Sequence, residues 1–194
     1  MRTLKLALIL IAGAVVVPPL AAQQSAPPAR RSGQWLGFGL GTGIGRVSCP
    51  ICIANRGASV SGYLKGGGTL SRRMLLGLEA NGWMRSAGGA DELLVALSGS
   101  LYWYPNPRRR LFYKVGVGAM HYQTDDGPNR LTSTAFGPQL GAGYDIPLSP
   151  TVSLTPFANW LVASLGGELN ANGSKFRDDI GLMLIQIGAG ITWH

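Results

Sequence analysis

Ile180–His194, IGLMLIQIGAGITWH, is the stretch whose reading decides the fold. Taken with a period of two, Met183, Ile185, Ile187, Ala189, Ile191 and Trp193 share one face, and Leu184, Gln186, Gly188, Gly190 and Thr192 share the other. Successive side chains of a strand point to opposite faces, so this is an apolar face backed by a largely small or polar one. A long apolar strand with a free edge pairs with other chains, and closing a sheet into a barrel removes that edge. The stretch therefore predicts the last strand of a closed barrel, paired with the first.

Working outward, seven more segments alternate in the same way. Gln34–Arg46 sets Leu36, Phe38, Leu40 and Ile44 against Gly37, Gly39, Gly41 and Gly43. A glycine face suits a narrow lumen. Ala58–Leu70 turns Val60 and Leu64 outward and Ser61, Tyr63 and Lys65 inward; Met74–Arg85 turns Leu76, Leu78 and Met84 outward and Glu79 and Asn81 inward. Glu92–Tyr104, Leu111–Gln123, Thr132–Ile146 and Thr151–Ala163 complete the set. Eight such strands, an even number, are each long enough to cross a bilayer when tilted. Pro138 and Pro156 fall inside strands six and seven and predict bulges or weakened pairing there.

The ends of the chain and its composition agree with export into a membrane. Residues 1–22 carry Arg2 and Lys5, the apolar run Leu6–Val17, and small residues Ala21 and Ala22, the pattern of a secretory signal peptide. Residues 23–33 read as a short periplasmic linker, and 34–194 as one barrel domain. Hydrophobic residues make up 46% of the chain and charged ones 13%, with 29 glycines. The mature part has no apolar run near the roughly 20 residues that a helix needs to span a bilayer. Few charges, much glycine and no helical span fit a membrane β-barrel. The net charge of +8 does not point to nucleic acid, because the cations cluster in the leader, the linker and two tight turns.

The connections alternate in length. Residues 71–73, 105–110 and 147–150 read as tight turns, and 47–57, 86–91, 124–131 and 164–179 as longer outside loops. That asymmetry places both termini in the periplasm. Trp35, Trp103, Tyr113, Tyr144 and Trp193 collect at the turn side, and Trp83, Tyr122 and Trp160 at the loop side, as two interfacial aromatic girdles.

Strand count, alternation, turn and loop asymmetry, and a final strand closing on an aromatic together resemble the small OmpA/OmpX-type outer-membrane barrels over Gln34–His194. The chain departs from that pattern in ending on His194, one residue past Trp193, where the family usually has an aromatic. The resemblance implies an eight-stranded antiparallel up-and-down transmembrane β-barrel in the outer membrane, monomeric, surrounded by phospholipid and lipopolysaccharide and inserted by the barrel-assembly machinery. The rival fold is a soluble lipocalin-like barrel, which would reverse the two faces and expose the glycine rows.

Few residues suggest chemistry. Cys49 and Cys52 form a CxxC in the first outside loop, where export favours a local disulfide over zinc or redox work, and no further ligand pair supports a metal. Lys65 and Glu79 fall opposite each other across a hairpin centred on Arg72, which predicts an ion pair inside the barrel that Lys114 and Asp145 join. His121 and His194 are the candidates for the site of a lipid A-modifying barrel. His121 is outward near the loop side, at the right height, with Ser133 and Asp125 nearby in sequence, but Gln123 stands where a deacylase carries serine. No catalytic residue and no cofactor is expected. The function expected is a structural or surface-interacting barrel; a very narrow channel and a lipid A-modifying enzyme are the alternatives.

Overall fold

The structure, a computed structural model, describes residues 32–48, 57–106, 108–126 and 129–194. The expected signal peptide, most of the linker and the Cys49–Cys52 pair lie outside the described residues. Eight staves run in sequence order: β1 (Gln34–Ser48), β2 (Ala58–Ser71), β3 (Met74–Ala87), β4 (Ala90–Trp103), β5 (Leu111–Asp126), β6 (Asn129–Tyr144), β7 (Val152–Ala163) and β8 (Gly181–Trp193). Each pairs antiparallel with the next, and β1 pairs with β8 from Leu36↔Trp193 to Ser48↔Gly181, so the sheet closes. The first expectation, a last strand paired with the first, is met.

The faces are also as the period-two reading has them. Leu36, Phe38 and Leu40 in β1, Leu97 in β4, Val115 and Val117 in β5 and Ile187 in β8 are exposed on the outside. Lys65, Glu79, Lys114, Gln139 and Gln186 are buried within. A soluble barrel would invert this order, because apolar surface is driven out of water.

The glycine rows have a different reason from the one expected. They are sockets for large side chains from the adjacent stave or the one beyond it, not signs of an interior with little to hold. A Cβ at Gly45 would meet the Trp83 ring at 2.8 Å, one at Gly77 the Trp35 ring at 2.6 Å, and one at Gly37 the Lys65 Cε at 2.9 Å. Facing Gly41 and Gly188 likewise let β1 and β8 approach backbone to backbone.

The two prolines fall on one seam. Gln139–Gly143 of β6 pairs regularly with Phe157–Leu161 of β7, but beyond Pro138 the register slips, and Phe136 next meets Leu165 of the extension Leu165–Ala171. Pro138 has no N–H to give to that ladder. Pro156 sits just past the other end of the regular pairing, while its ladder to β8 continues unbroken through Ala189.

Among the described residues, the loop side carries more strand than expected. Between β3 and β4 the chain turns on Gly88 and Gly89 alone, both at positive φ, and the β5–β6 ladder runs to Asp126↔Asn129. Residues 164–179, expected as a loop, form a hairpin of Leu165–Ala171 against Ser174–Asp178. It turns at Asn172 and Gly173, both in the left-handed region, as a two-residue hairpin turn requires.

Two glycine substitutions separate these roles. Gly41→Val, which drives side-chain atoms into the β8 backbone, is expected to destabilise the folded barrel by about 1–3 kcal/mol in urea unfolding from lipid vesicles. Gly99→Ala, on the outer face with open space around it, is expected to change stability by less than about 1 kcal/mol, toward greater stability.

Candidate functional site

The barrel interior is the only place in the described chain where charged side chains converge under burial. It is built in three tiers. At the turn side lie Trp35, Leu75, Tyr102, Tyr104 and Phe112. At the loop side lie Trp83, Leu94, Met120, Tyr122, Leu161, Leu182 and Leu184, with further aliphatic neighbours. Between them runs a polar belt to which every stave but β1 contributes a side chain.

The belt centres on Glu79. One carboxylate oxygen accepts from Lys114 Nζ at 2.5 Å and Gln139 Nε2 at 2.7 Å, and the other from the Tyr102 hydroxyl at 2.5 Å. The Ser98 hydroxyl donates in turn to Gln139 Oε1. One carboxylate thus ties β3, β4, β5 and β6 together. A buried charge is tolerable only when its lone pairs are met in this way.

The expected pairing is corrected in one respect. Lys65 and Glu79 do stand opposite each other in the β2–β3 ladder, yet the ammonium that meets the carboxylate is that of Lys114. Lys65 Nζ lies among four rings instead, 5.9 Å from Trp35, 5.1 Å from Tyr63, 5.3 Å from Tyr102 and 5.2 Å from Phe112. Those distances lie within reach of a cation–π attraction, which gains strength away from water. Its stem fits over Gly37, as that of Lys114 fits over Gly141.

Asp145 forms a second, smaller node toward the turn side. It accepts from the Tyr104 hydroxyl at 2.8 Å and the Thr155 hydroxyl at 2.9 Å, and His194 Nε2 lies 3.8 Å away. Trp193 faces out beside Phe38, while His194 turns inward and its N–H donates to the Thr151 carbonyl at 2.9 Å. Higher in the barrel, Gln186 donates to the carbonyls of Gly62 and Gly82 at 3.3 and 3.2 Å.

The girdle expectation needs three corrections. Trp103, Tyr113, Tyr144, Trp160 and Trp193 face outward, but Trp35 is 4% exposed and Trp83 1%, and both point into the lumen. Trp35 packs edge-on to Tyr102 with centroids 5.0 Å apart, and the Trp83 indole donates to the Gly43 carbonyl at 2.9 Å. Tyr122, also expected at the interface, is buried in the upper tier. Parity was the available signal: Trp35 shares its face with Gly37, and Trp83 shares its with Glu79 and Asn81.

His121 faces outward and shares a 2.8 Å hydrogen bond with the Thr134 hydroxyl. The nearby serine, Ser133, is buried on the opposite side of the wall. Asp125 shares the His121 face but sits four residues along the strand, roughly 13 Å away. These three groups do not converge on a reacting atom.

No protein-family model matches this sequence, and no curated protein matches it in sequence. Among solved structures, the barrel is similar to Ail, the attachment invasion locus protein of Yersinia pestis. The TM-score is 0.54 at 12% identity, over 83% of this chain and 99% of that one. It is equally similar to Neisserial surface protein A, with TM-score 0.54 and 14% identity over 84% of this chain and 97% of that one. The likeness is one of fold: this chain is a closed, eight-stranded antiparallel barrel, as those two proteins are.

The Glu79 node carries a stability prediction. Glu79→Gln, which strands the Lys114 ammonium in the lumen, is expected to cost about 3–5 kcal/mol in urea unfolding from vesicles. Adding Lys114→Met to that variant is expected to recover most of the loss. A double variant no more stable than the single one would show that the pair does not act as a unit.

Proposed function

We propose that this chain is an integral outer-membrane barrel with a structural or surface-interacting role, monomeric, with both termini in the periplasm. Its surroundings would be phospholipid and lipopolysaccharide, reached with the help of the barrel-assembly machinery. The observation that carries this reading is the contrast between the two faces of one closed wall. The outside offers lipid a band of Leu, Val, Ile and Phe side chains edged by Trp103, Tyr113, Tyr144, Trp160 and Trp193. The inside is occupied by the aromatic tier, the ion-paired belt and the aliphatic tier in succession.

That succession argues against conduction. The polar belt has lysines, carboxylates and amides enough to hydrate an ion, but Leu94, Leu161, Leu182 and Leu184 cap it on the loop side. An eight-stranded barrel is just wide enough for its own side chains to fill. A lipid A-modifying role would need a further acid or base to complete the pair that His121 makes with the Thr134 hydroxyl, and Ser133 lies across the wall while Asp125 is roughly 13 Å along the strand.

A surface role draws support from the hairpin of Leu165–Ala171 and Ser174–Asp178, which extends the last pair of staves beyond the barrel's regular ladder. Lys175 braces it with ion pairs to Glu168 at 2.8 Å and Asp178 at 2.7 Å. Those carboxylates, Asp178 foremost, raise the lysine above its ordinary pKa, so the brace keeps its charge at neutral pH. The two structures it is similar to, an attachment protein and a surface protein by name, agree with this reading.

Folded protein in planar bilayers is expected to give no discrete conductance steps. Reproducible steps altered by Lys114→Met would favour the narrow channel instead. Lipid A incubated with the protein is expected to keep all its acyl chains; loss that disappears in His121→Ala would favour the enzyme.

A further inference from the structure

The charge at the turn-side rim is unbalanced and ordered. Arg72 and Arg73 sit in the β2–β3 turn, and Arg108, Arg109 and Arg110 in the β4–β5 turn, with Arg110 half-buried and the other four exposed. These two turns are neighbours on the wall, and the Tyr104 N–H donates to the Arg73 carbonyl at 2.8 Å to link them. Each turn is held locally. Ser71 Oγ accepts from the Arg73 N–H at 3.2 Å, and Asn106 Oδ1 from the Arg108 N–H at 2.9 Å. Asp145, the side-chain carboxylate nearest this rim in the described chain, is buried in the lumen and already bound to Tyr104 and Thr155. Among the described residues, none of the five guanidiniums is paired with an acid.

Directly beyond these turns the outer wall is apolar and aromatic. Met74 stands opposite Trp103, Trp103 opposite Tyr113, and Leu111 opposite Tyr144 across successive ladders, all of them exposed. Trp103 and Tyr113 pack with ring centroids 6.1 Å apart. Indole and phenol rings settle at the level where acyl chain gives way to headgroup. The arginines one to three residues further on therefore lie in the headgroup layer, and a guanidinium there meets phosphate oxygens in a planar, two-pronged geometry.

We infer that this arc, built from the β2–β3 and β4–β5 turns, is a binding surface for anionic phospholipid headgroups. It selects them over zwitterionic ones around β2–β5. The lipid phosphate is the occupant because the arginines adjoin a wall that only acyl chains cover; a soluble anion would gain nothing from that wall. Anionic lipid attracts each interfacial arginine, and five of them on adjoining turns add their attractions on one side of the barrel.

The test uses the full folded protein in vesicles, with Trp160 and Trp193 changed to Phe. Trp103 is then the one tryptophan that chains can touch, since Trp35 and Trp83 are in the lumen. Quenching by brominated phosphatidylglycerol and by brominated phosphatidylcholine, mixed with their unbrominated partners, gives the relative affinity. A preference for phosphatidylglycerol on the order of two- to ten-fold is expected, falling toward one in 0.5 M salt, roughly a 4 Å Debye length. It is also expected to fall toward one when all five arginines are Ser, and to persist when they are Lys. Equal quenching in the unsubstituted arc, or a preference that survives the serine variant, would overturn the inference. So would loss of the preference on adding millimolar inorganic phosphate, since the surface would then belong to a free anion. If the serine variant does not fold, the salt series on the arginine protein decides alone.

Discussion

A sheet in hydrocarbon has no water to satisfy its backbone, so every N–H and C=O must find a partner within the chain. Here the ladder between β1 and β8 meets that demand. Without it, two long edges would face lipid with unpaired groups, each costing several kcal/mol. Facing glycines at Gly41 and Gly188 let these two strands approach, and Trp193 and Phe38 cover the closure from outside. The packing of the lumen and the distribution of apolar side chains both follow from this one pairing.

Closure creates an interior that then has to be filled. The solution is complementarity between glycine on one stave and a large side chain from the next or the next but one: Gly37 with Lys65 and Gly141 with Lys114 on adjacent staves, Gly45 with Trp83 and Gly77 with Trp35 across β2. In the middle tier the fillers are charged, so each needs compensation. Glu79 receives three donors from three other staves, while Lys65 rests among four rings. These bonds tie β3 to β4, β5 and β6 through their side chains, and an aliphatic tier lies above them. The result is a lumen occupied over much of its height by the chain's own side chains.

The fold was legible because membrane barrels write it twice in the sequence, once as period two and once as turn chemistry. Alternation in Gln34–Arg46 and Ile180–His194 identified the closing strands and their outer faces. Lys65, Glu79, Lys114 and Asp145 were all placed inside by parity, and the structure buries all four. Three things were less visible. Trp35 and Trp83 were assigned to the girdle because aromatics near strand ends usually sit there, although their parity matched the lumen. Which ammonium meets Glu79 depends on side-chain reach across the barrel, and ladder register does not encode that. The hairpin at 164–179 was signalled by Asn172-Gly173, a strong two-residue turn signature, but polar composition pulled the reading toward a loop.

Amide hydrogen exchange of the protein in lipid bilayers, resolved residue by residue, tests the closure most directly. The account predicts that amides of Gly37–Ile44 in β1 and Ile185–Ile191 in β8 that donate across this ladder are protected as strongly as those of the β4–β5 ladder. Rapid exchange confined to β1 and β8, with the inner ladders protected, would mean a sheet that does not close. The assignment of lumen and lipid face would then fall with it.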